Sequence, residues 1–197
     1  ELQICELIRN DSIDEFIVFV NRTNASLSMK IPSSIFETNR FLYKKSPTLL
    51  EYSAFFGSIQ IFKFLFLNGI EFTPSLCLYA IHGDNPDIIH HLEENNASIS
   101  YNDCFIEAIK CFCNDVAYYI LNNYLDIQDD SIDSYFPYNF KYCNYCLFPN
   151  DVRDSNLLYC LCQYNYIFLV DLSMKMVDNI NERVISKIFS FFYKISK

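Results

Sequence analysis

Cysteine and histidine are the residues of this sequence best suited to chemistry, because thiolates and imidazoles bind metals and act as nucleophiles or bases. Three cysteine pairs are closely spaced: Cys111 with Cys113, Cys143 with Cys146, and Cys160 with Cys162. Cys160 and Cys162 lie in a segment of helical periodicity, where residues two apart point about 200° away from each other. The same argument applies to Cys111 and Cys113. We therefore expect no zinc at these pairs, and whether Cys143 and Cys146 bind a metal stays open.

The histidines offer little more. The chain has three, at His82, His90 and His91. A base or metal site could be built from His82 and His91 with Asp87 and Glu94, but the acidic residues here fit a solvent-exposed helix face better. No histidine is predicted to lie close to one of the thiols. The sequence has no P-loop, dinucleotide turn, HExxH motif or nucleophile elbow. We therefore expect no catalytic residue, no cofactor and no metal, and predict that the protein is not an enzyme.

The composition predicts a folded, helical protein. Of 197 residues, 51% are hydrophobic and 20% charged, which differs from the composition of disordered chains. Three glycines are few for the turns of a sheet protein. The net charge of −9 disfavours nucleic acid and anionic membranes as partners, because such binding depends on clustered Lys and Arg. No apolar run approaches the roughly 18 to 20 residues of a membrane span.

The cysteine content also bears on location. Nine cysteines, an odd number without a secretory signal, are typical of free thiols in a reducing compartment. We expect a cytoplasmic protein, with the nucleus not excluded. A secreted, glycosylated protein is the less favoured alternative, since Asn-x-Ser/Thr sequons begin at Asn10, Asn21, Asn24 and Asn96. The first residue is not Met, so we expect a piece of a longer protein.

Apolar residues recur every three or four positions, which indicates short amphipathic helices. Capping boxes, in which a Ser or Thr is followed three residues later by Glu, mark three helix starts: Ser12 with Glu15, Ser34 with Glu37, and Thr48 with Glu51. The predicted helices are 2–9, 12–22, 34–44, 48–56, 59–67, 75–82, 86–94, 102–112, 115–124, 155–163, 166–175 and 180–194. Because such short helices cannot bury an apolar face alone, they must stack as pairs.

The segment 48–72 carries the clearest repeat unit. It resembles an ankyrin repeat, matching the family pattern at Thr48, Leu50, Ser53, Ala54, Gly57, Ile61, Phe62, Leu65 and Gly69. It departs from that pattern at Leu49, where the family has Pro, and at Glu51, where it has His. Gly57 and Gly69 are expected to end helices in the left-handed conformation.

Two further units follow, at 73–96 and 101–124. Gly69 and Asn96, which close successive units, lie 27 positions apart, fewer than the roughly 33 of ordinary ankyrin repeats. The shortened period resembles an uncharacterised ankyrin-like domain of families expanded in protist parasites. The resemblance implies an all-α, ankyrin-like solenoid of stacked antiparallel helix pairs in a single domain, 1–197. Its parts are a helical N-terminal cap at 1–45, repeats at 46–126, an irregular aromatic insertion at 127–150 and diverged helix pairs at 151–197.

The resemblance also implies a function without catalysis. Ankyrin-like arrays bind other proteins through their concave face, which places Phe55, Phe56, His82 and Lys110 as partner-binding candidates. Phe55 and Phe56 fit the core equally well. The negative net charge favours a partner with a basic surface. We expect a protein–protein interaction scaffold, with a structural spacer or self-association module as the alternative. The tyrosines between 135 and 149 either cover the end of the stack or serve as binding anchors.

Overall fold

The computed structural model describes residues 2–34, 37–95, 97–125, 135–145 and 155–176. Within these ranges it is helical and has no β-strand, apart from an isolated antiparallel bridge between Lys30 and Thr48. The all-α class is therefore confirmed for the described residues. The helices are α1 (Leu2–Arg9), α2 (Ile13–Thr23), α3 (Leu49–Phe55), α4 (Ile59–Leu67), α5 (Leu76–Gly83), α6 (Pro86–Glu94), α7 (Tyr101–Cys111), α8 (Asn114–Tyr124), α9 (Phe136–Tyr142), α10 (Ser155–Gln163) and α11 (Ile167–Met176).

The chain divides into two compact units, Glu1–Val116 and Ala117–Lys197, where the sequence had suggested one domain. In the first unit, helices pair as the hairpins α1/α2, α3/α4 and α5/α6. The first helices of successive hairpins contact each other, α1 with α3, α3 with α5, and α5 with α7. The second helices do the same, α2 with α4 and α4 with α6. Each hairpin therefore buries its apolar side against the next one.

The core of this unit consists of apolar side chains from each of its hairpins. Fully buried side chains include Ile8, Phe16, Leu49, Ile61, Phe62, Leu65, Ile81, Ile88 and Phe105. Ser53, Ala54, Ala80 and Ala108 are fully buried small residues of the first helices, where a larger side chain would hold neighbouring helices apart.

A single turn geometry recurs between the two helices of each hairpin. One residue in the left-handed conformation follows the first helix, and the next residue precedes the second helix. These left-handed residues are Asp11, Gly57, Asp84 and Phe112, with φ of 49°, 67°, 46° and 65°. In the second unit Asn165, at φ 64°, stands in the same position between α10 and α11. Non-glycine residues rarely adopt this conformation, so its recurrence at matching positions indicates one repeated unit.

After Gly57, Asp84 and Phe112, the residue that follows the left-handed position ties its hairpin to the preceding one. Ser58 Oγ donates to Ile8 O at 2.5 Å, and Cys113 Sγ donates to Ile81 O at 3.3 Å. Ile8 and Ile81 each lie three residues before a left-handed residue. Asn85 Nδ2 donates to the left-handed residue itself, Gly57 O, at 2.9 Å. These bonds satisfy carbonyls at the ends of first helices, which have no partner within their own helix.

The second unit repeats the arrangement. Tyr166, which directly precedes α11, donates from its hydroxyl to Phe140 O at 3.2 Å. Phe140 lies three residues before Cys143, which is left-handed at φ 57°. Phe140, Cys160 and Leu161 form the core of this unit, and four partly buried residues pack around it: Tyr164, Tyr166, Leu169 and Val170.

Two glycines allow successive hairpins to touch through their backbones. A Cβ on Gly83 would lie 2.1 Å from Ala54 O and 2.8 Å from Gly57 N, distances that real atoms do not adopt. A Cβ on Gly57 would lie 2.7 Å from Gly83 O. Gly57, which the sequence predicted as a helix-ending residue, therefore also serves the contact between hairpins.

The capping predictions had mixed outcomes. Thr48 and Glu51 form the predicted box, with Thr48 N donating to Glu51 Oε2 at 2.9 Å and Glu51 N to Thr48 Oγ1 at 3.1 Å. The Ser12–Glu15 box is wrong, because the Ser12 side chain makes no capping bond. Instead the carboxylate of Asp11 accepts from the amides of Gln60 and Ile61 and caps α4 of the next hairpin.

The predicted helix 34–44 is also wrong. Residues 37–39 are irregular and 40–44 form a turn. Asn39 N donates to Glu37 Oε1, and Phe41 N donates to Asn39 Oδ1, both at 2.8 Å. Such local bonds between side chains and the backbone compete with helix formation, which explains why this segment is not helical.

The segment 127–150, expected to be irregular, contains helix α9. Pro137 lies in its first turn, where a missing amide costs nothing and the fixed φ favours a helix start. Several earlier predictions lie outside the described residues: the helix 180–194, the closing residue Asn96 and the thiol of Cys146.

Candidate functional site

Three of the four predicted partner-binding residues come together in the first unit. Phe55, His82 and Lys110 lie at or near the C-terminal ends of α3, α5 and α7. The imidazole of His82 stacks on the ring of Phe55, with 5.0 Å between centroids. Phe56 packs beside Phe55 at 5.0 Å and against Tyr52 at 4.7 Å. Stacked first helices thus bring together residues from three hairpins.

The chain itself covers part of this surface. We call residues 37–47 the crossing segment, because it joins the first hairpin to the second and lies on α3 and α5. Its Phe41 stacks on Phe55 with 5.8 Å between ring centroids and packs at a tilt against His82 at 4.2 Å. Phe55 is consequently only 7% exposed and belongs to the core, one of the two possibilities that the sequence left open. Phe56 is half-buried.

A buried carboxylate, Glu107 of α7, organises the polar side of the cluster. Its Oε1 lies 2.9 Å from His82 Nε2, and Lys110 Nζ donates to both carboxylate oxygens at 2.9 Å. Burial alone would raise the pKa of Glu107. The hydrogen bonds from His82 and Lys110 and the charge of Lys110 outweigh burial and lower that pKa to about 2. Sequence reasoning missed Glu107, whose only signal was its place one turn before Lys110 and Cys111.

Cys111 lies one helical turn beyond Glu107 on the same face of α7. Its Sγ lies 3.4 Å from His82 Nε2 and 3.7 Å from Glu107 Oε1. The expectation that no histidine lies near a thiol is therefore wrong. His82 is 29 residues away in sequence, and only the packing of α5 against α7 brings the two together.

The expectation that Cys111 and Cys113 point away from each other on one helix is wrong as well. The helix ends at Cys111, and the left-handed Phe112 turns the chain so that the two thiols are hydrogen-bonded to each other. The hydrogen bond to Cys113, burial and the nearby Glu107 carboxylate raise the pKa of the Cys111 thiol. A thiol held in its protonated form is a poor nucleophile.

Positively charged side chains surround the cluster. Lys45 Nζ lies 3.3 Å from the centroid of the Phe41 ring, and its pKa is lowered, chiefly by burial. The guanidinium of Arg9 lies 5.1 Å from the Phe56 ring, and Arg9 Nε donates to Tyr52 Oη at 2.8 Å. Burial raises the pKa of Tyr52 to about 12, so this hydroxyl stays protonated. Cations over aromatic rings of this kind contribute about 0.5–1 kcal/mol each when exposed.

A groove of about 660 Å³ runs between α1, α3 and the chain that leads into α3. Apolar residues and two cations contribute to its lining, among them Arg9, Ile31, Leu42, Lys45, Pro47 and Tyr52. Its acidic residues are Glu6 and Glu37. The groove falls within the usual size range of sites for small ligands or short peptide segments.

The remaining sequence candidates do not form a site in the described part of the chain. His90 pairs with Glu93 at 3.3 Å, and His91 packs edge-on to Phe66 at 4.8 Å. Cys160 and Cys162 are both buried, as expected of thiols used as small apolar residues. Cys143 is exposed and lies 3.4 Å from Tyr166 Oη.

Comparisons with known proteins do not assign the chain to a family. No family model, no curated protein and no solved structure matches it. Among the described residues, no helix combines the length and the apolar character that crossing a membrane requires. The geometry at the candidate site is thus the basis for any functional conclusion. It offers a paired, ionised carboxylate, a protonated thiol and cations on aromatic rings, groups that are suited to binding.

Proposed function

We propose that this protein is a non-catalytic interaction module, an ankyrin-like stack of helical hairpins that binds another protein. The observation that carries the proposal is the repeated junction, in which a left-handed residue is followed by a side chain that bonds back to the preceding hairpin. Repeats joined in this way place equivalent helix ends side by side. Such a row of helix ends is the surface through which repeat proteins contact partners.

The binding surface we propose consists of Phe56 together with the groove beside it. Phe55, one of the original candidates, supports this surface from below because Phe41 covers it. His82 and Lys110 both bond to the Glu107 carboxylate. The Lys110 side chain stays partly exposed at the edge of the proposed surface. Aromatic and Arg side chains that border an apolar groove, as Phe56 and Arg9 do here, are frequent binding anchors.

The charge of this surface favours an acidic partner. Four exposed cations belong to the groove or the crossing segment: Arg9, Arg40, Lys44 and Lys45. The acidic residues there are Glu6 and Glu37. The chain as a whole carries −9, from which the sequence suggested a basic partner. Charge near the contact dominates at physiological salt, since screening acts over about 8 Å.

Affinity capture from native lysate with mass spectrometry tests the proposal. The variant Phe56→Ser combined with Lys45→Glu alters the proposed surface, whereas Arg22→Glu on α2 serves as a charge-reversed control. We expect the wild type and the control to capture proteins with acidic segments. The double variant should capture at least about tenfold less of these proteins. Equal capture by all three proteins would contradict the proposed surface.

Self-association is the second candidate function, and one feature favours it. A second groove lies on the outer side of α1 and α2, where Val18 is 64% exposed and Leu7 and Phe19 contribute apolar surface. Another copy of the chain could stack on it. Light scattering distinguishes the two functions, because a concentration-dependent dimer with no captured protein favours self-association.

A further inference from the structure

Three side chains from two helices bring atoms that are able to bind a metal close together. His82 comes from the end of α5, and Glu107 and Cys111 come from one face of α7. One nitrogen, one oxygen and one sulfur atom of these residues all lie within 4.8 Å of one another. An imidazole, a carboxylate and a thiolate together are a ligand set that zinc binds in proteins.

The spacing of these atoms matches a tetrahedral zinc site. Zinc bonds of about 2.3 Å to sulfur and 2.0–2.2 Å to nitrogen or oxygen place neighbouring ligand atoms about 3.4–3.6 Å apart. Here His82 Nε2 lies 3.4 Å from Cys111 Sγ, and Cys111 Sγ lies 3.7 Å from Glu107 Oε1. The distance from His82 Nε2 to Glu107 Oε1 is 2.9 Å, so those two atoms need to separate by only a few tenths of an ångström.

The surroundings already hold two of the three ligands in place. Phe55 stacks on the imidazole ring of His82, and Phe41 packs against the same ring at a tilt. Lys110 Nζ donates to both oxygens of Glu107 and holds the carboxylate so that Oε1 also faces His82 and Cys111. Such outer contacts orient metal ligands in known sites and fix which atom coordinates.

We propose that His82, Glu107 and Cys111 bind one Zn²⁺, with water as the fourth ligand. Binding replaces the thiol proton of Cys111 by the metal, moves the Nε2 proton of His82 to Nδ1 or to solvent, and leaves Lys110 on the second carboxylate oxygen. Because the ligands come from α5 and α7, the metal links two successive hairpins. The site adds a metal-dependent cross-link to the interaction module and does not depend on which partner the module binds.

Cobalt titration tests the site, because Co²⁺ bound to a thiolate gives charge-transfer absorption that zinc then abolishes by displacement. We expect one equivalent of Co²⁺ to produce this absorption in the wild-type protein. Cys111→Ser should lose this absorption and should weaken zinc binding by more than about 100-fold. That loss exceeds the 10–100-fold effect typical of residues that only hydrogen-bond to a metal ligand. Cys113→Ser, the neighbouring thiol on the same turn, is the matched control and should keep it.

Glu107→Gln provides a second variant in which no thiol is changed, and it should weaken zinc binding at least about tenfold. Circular dichroism of each metal-free variant checks that the helices are retained. Zinc should raise the unfolding temperature of the wild type and not that of Cys111→Ser. Absence of cobalt binding to the wild type, or equal loss of absorption in Cys111→Ser and Cys113→Ser, would overturn the proposal.

Discussion

Glu107 shows, at the scale of a residue, how this protein handles a buried charge. The carboxylate is 9% exposed, yet it stays ionised because His82 and Lys110 both bond to it. A buried charge is costly without partners, and removing one partner of such a pair usually costs more than the pair contributes. The three residues should therefore behave as a group.

A pH-dependent stability follows from the lowered pKa of Glu107, about 2 against an ordinary 4.5. The folded state favours the ionised form, so this contribution is present above about pH 4.5 and is lost as the pH falls toward 2. Glu107→Gln should lose on the order of 1–3 kcal/mol at pH 7 and should show a weaker decline in the free energy of unfolding below pH 4.5. Urea unfolding across this pH range measures the free energy of unfolding. Glu94→Gln, a change at an exposed position, is the control. An identical decline in wild type and Glu107→Gln would contradict this role.

Elements of this protein are connected by contacts that local sequence patterns cannot reveal. The Thr48–Glu51 capping box was predictable because both partners lie within one turn. The bonds of Asp11 to α4 were not, since Asp11 and Gln60 lie 49 residues apart. The close approach of Gly57 and Gly83 belongs to the same class.

Substituting the two glycines Gly83 and Gly69 separates crowding from backbone conformation. Gly83→Ala should be the more damaging change, because its Cβ would meet the backbone oxygen of Ala54 at 2.1 Å. Overpacking of this kind costs about 1–3 kcal/mol or more. A Cβ on Gly69 meets nothing within 4 Å, so Gly69→Ala should lose only the roughly 1–2 kcal/mol of a left-handed residue. Thermal unfolding of both variants provides the comparison, and a larger loss in Gly69→Ala would count against the hairpin contact.

The helices themselves were largely predictable from sequence, whereas Glu107 and the contact of His82 with Cys111 at the site were not. Periodicity placed α3 to α8 within a few residues, because each buries one apolar stripe. It failed at 34–44, where Glu37 and Asn39 bond to nearby amides, and at α9, where Pro137 starts a helix. Residues at the candidate site meet only through packing of α5 on α7, so no local pattern joins His82 to Cys111.

Charge at the scale of the whole molecule differs in sign from the charge around the proposed binding surface. The chain carries −9, but four exposed cations belong to the groove or the crossing segment: Arg9, Arg40, Lys44 and Lys45. Arg9 and Lys45 lie on aromatic rings beside the groove, so their positions are fixed before a partner arrives. Charged side chains that are already held in place lower the entropy lost when a partner binds.

Fluorescence anisotropy with a labelled glutamate-rich peptide is the most direct test of the proposed binding surface. We predict that the wild-type protein binds this peptide in preference to a lysine-rich one, and that salt weakens the binding. Arg9→Glu combined with Lys45→Glu should reduce the affinity at least about tenfold, and Arg22→Glu should leave it within about twofold. Preference for the lysine-rich peptide, or equal effects of the groove variant and the Arg22→Glu control, would contradict the account.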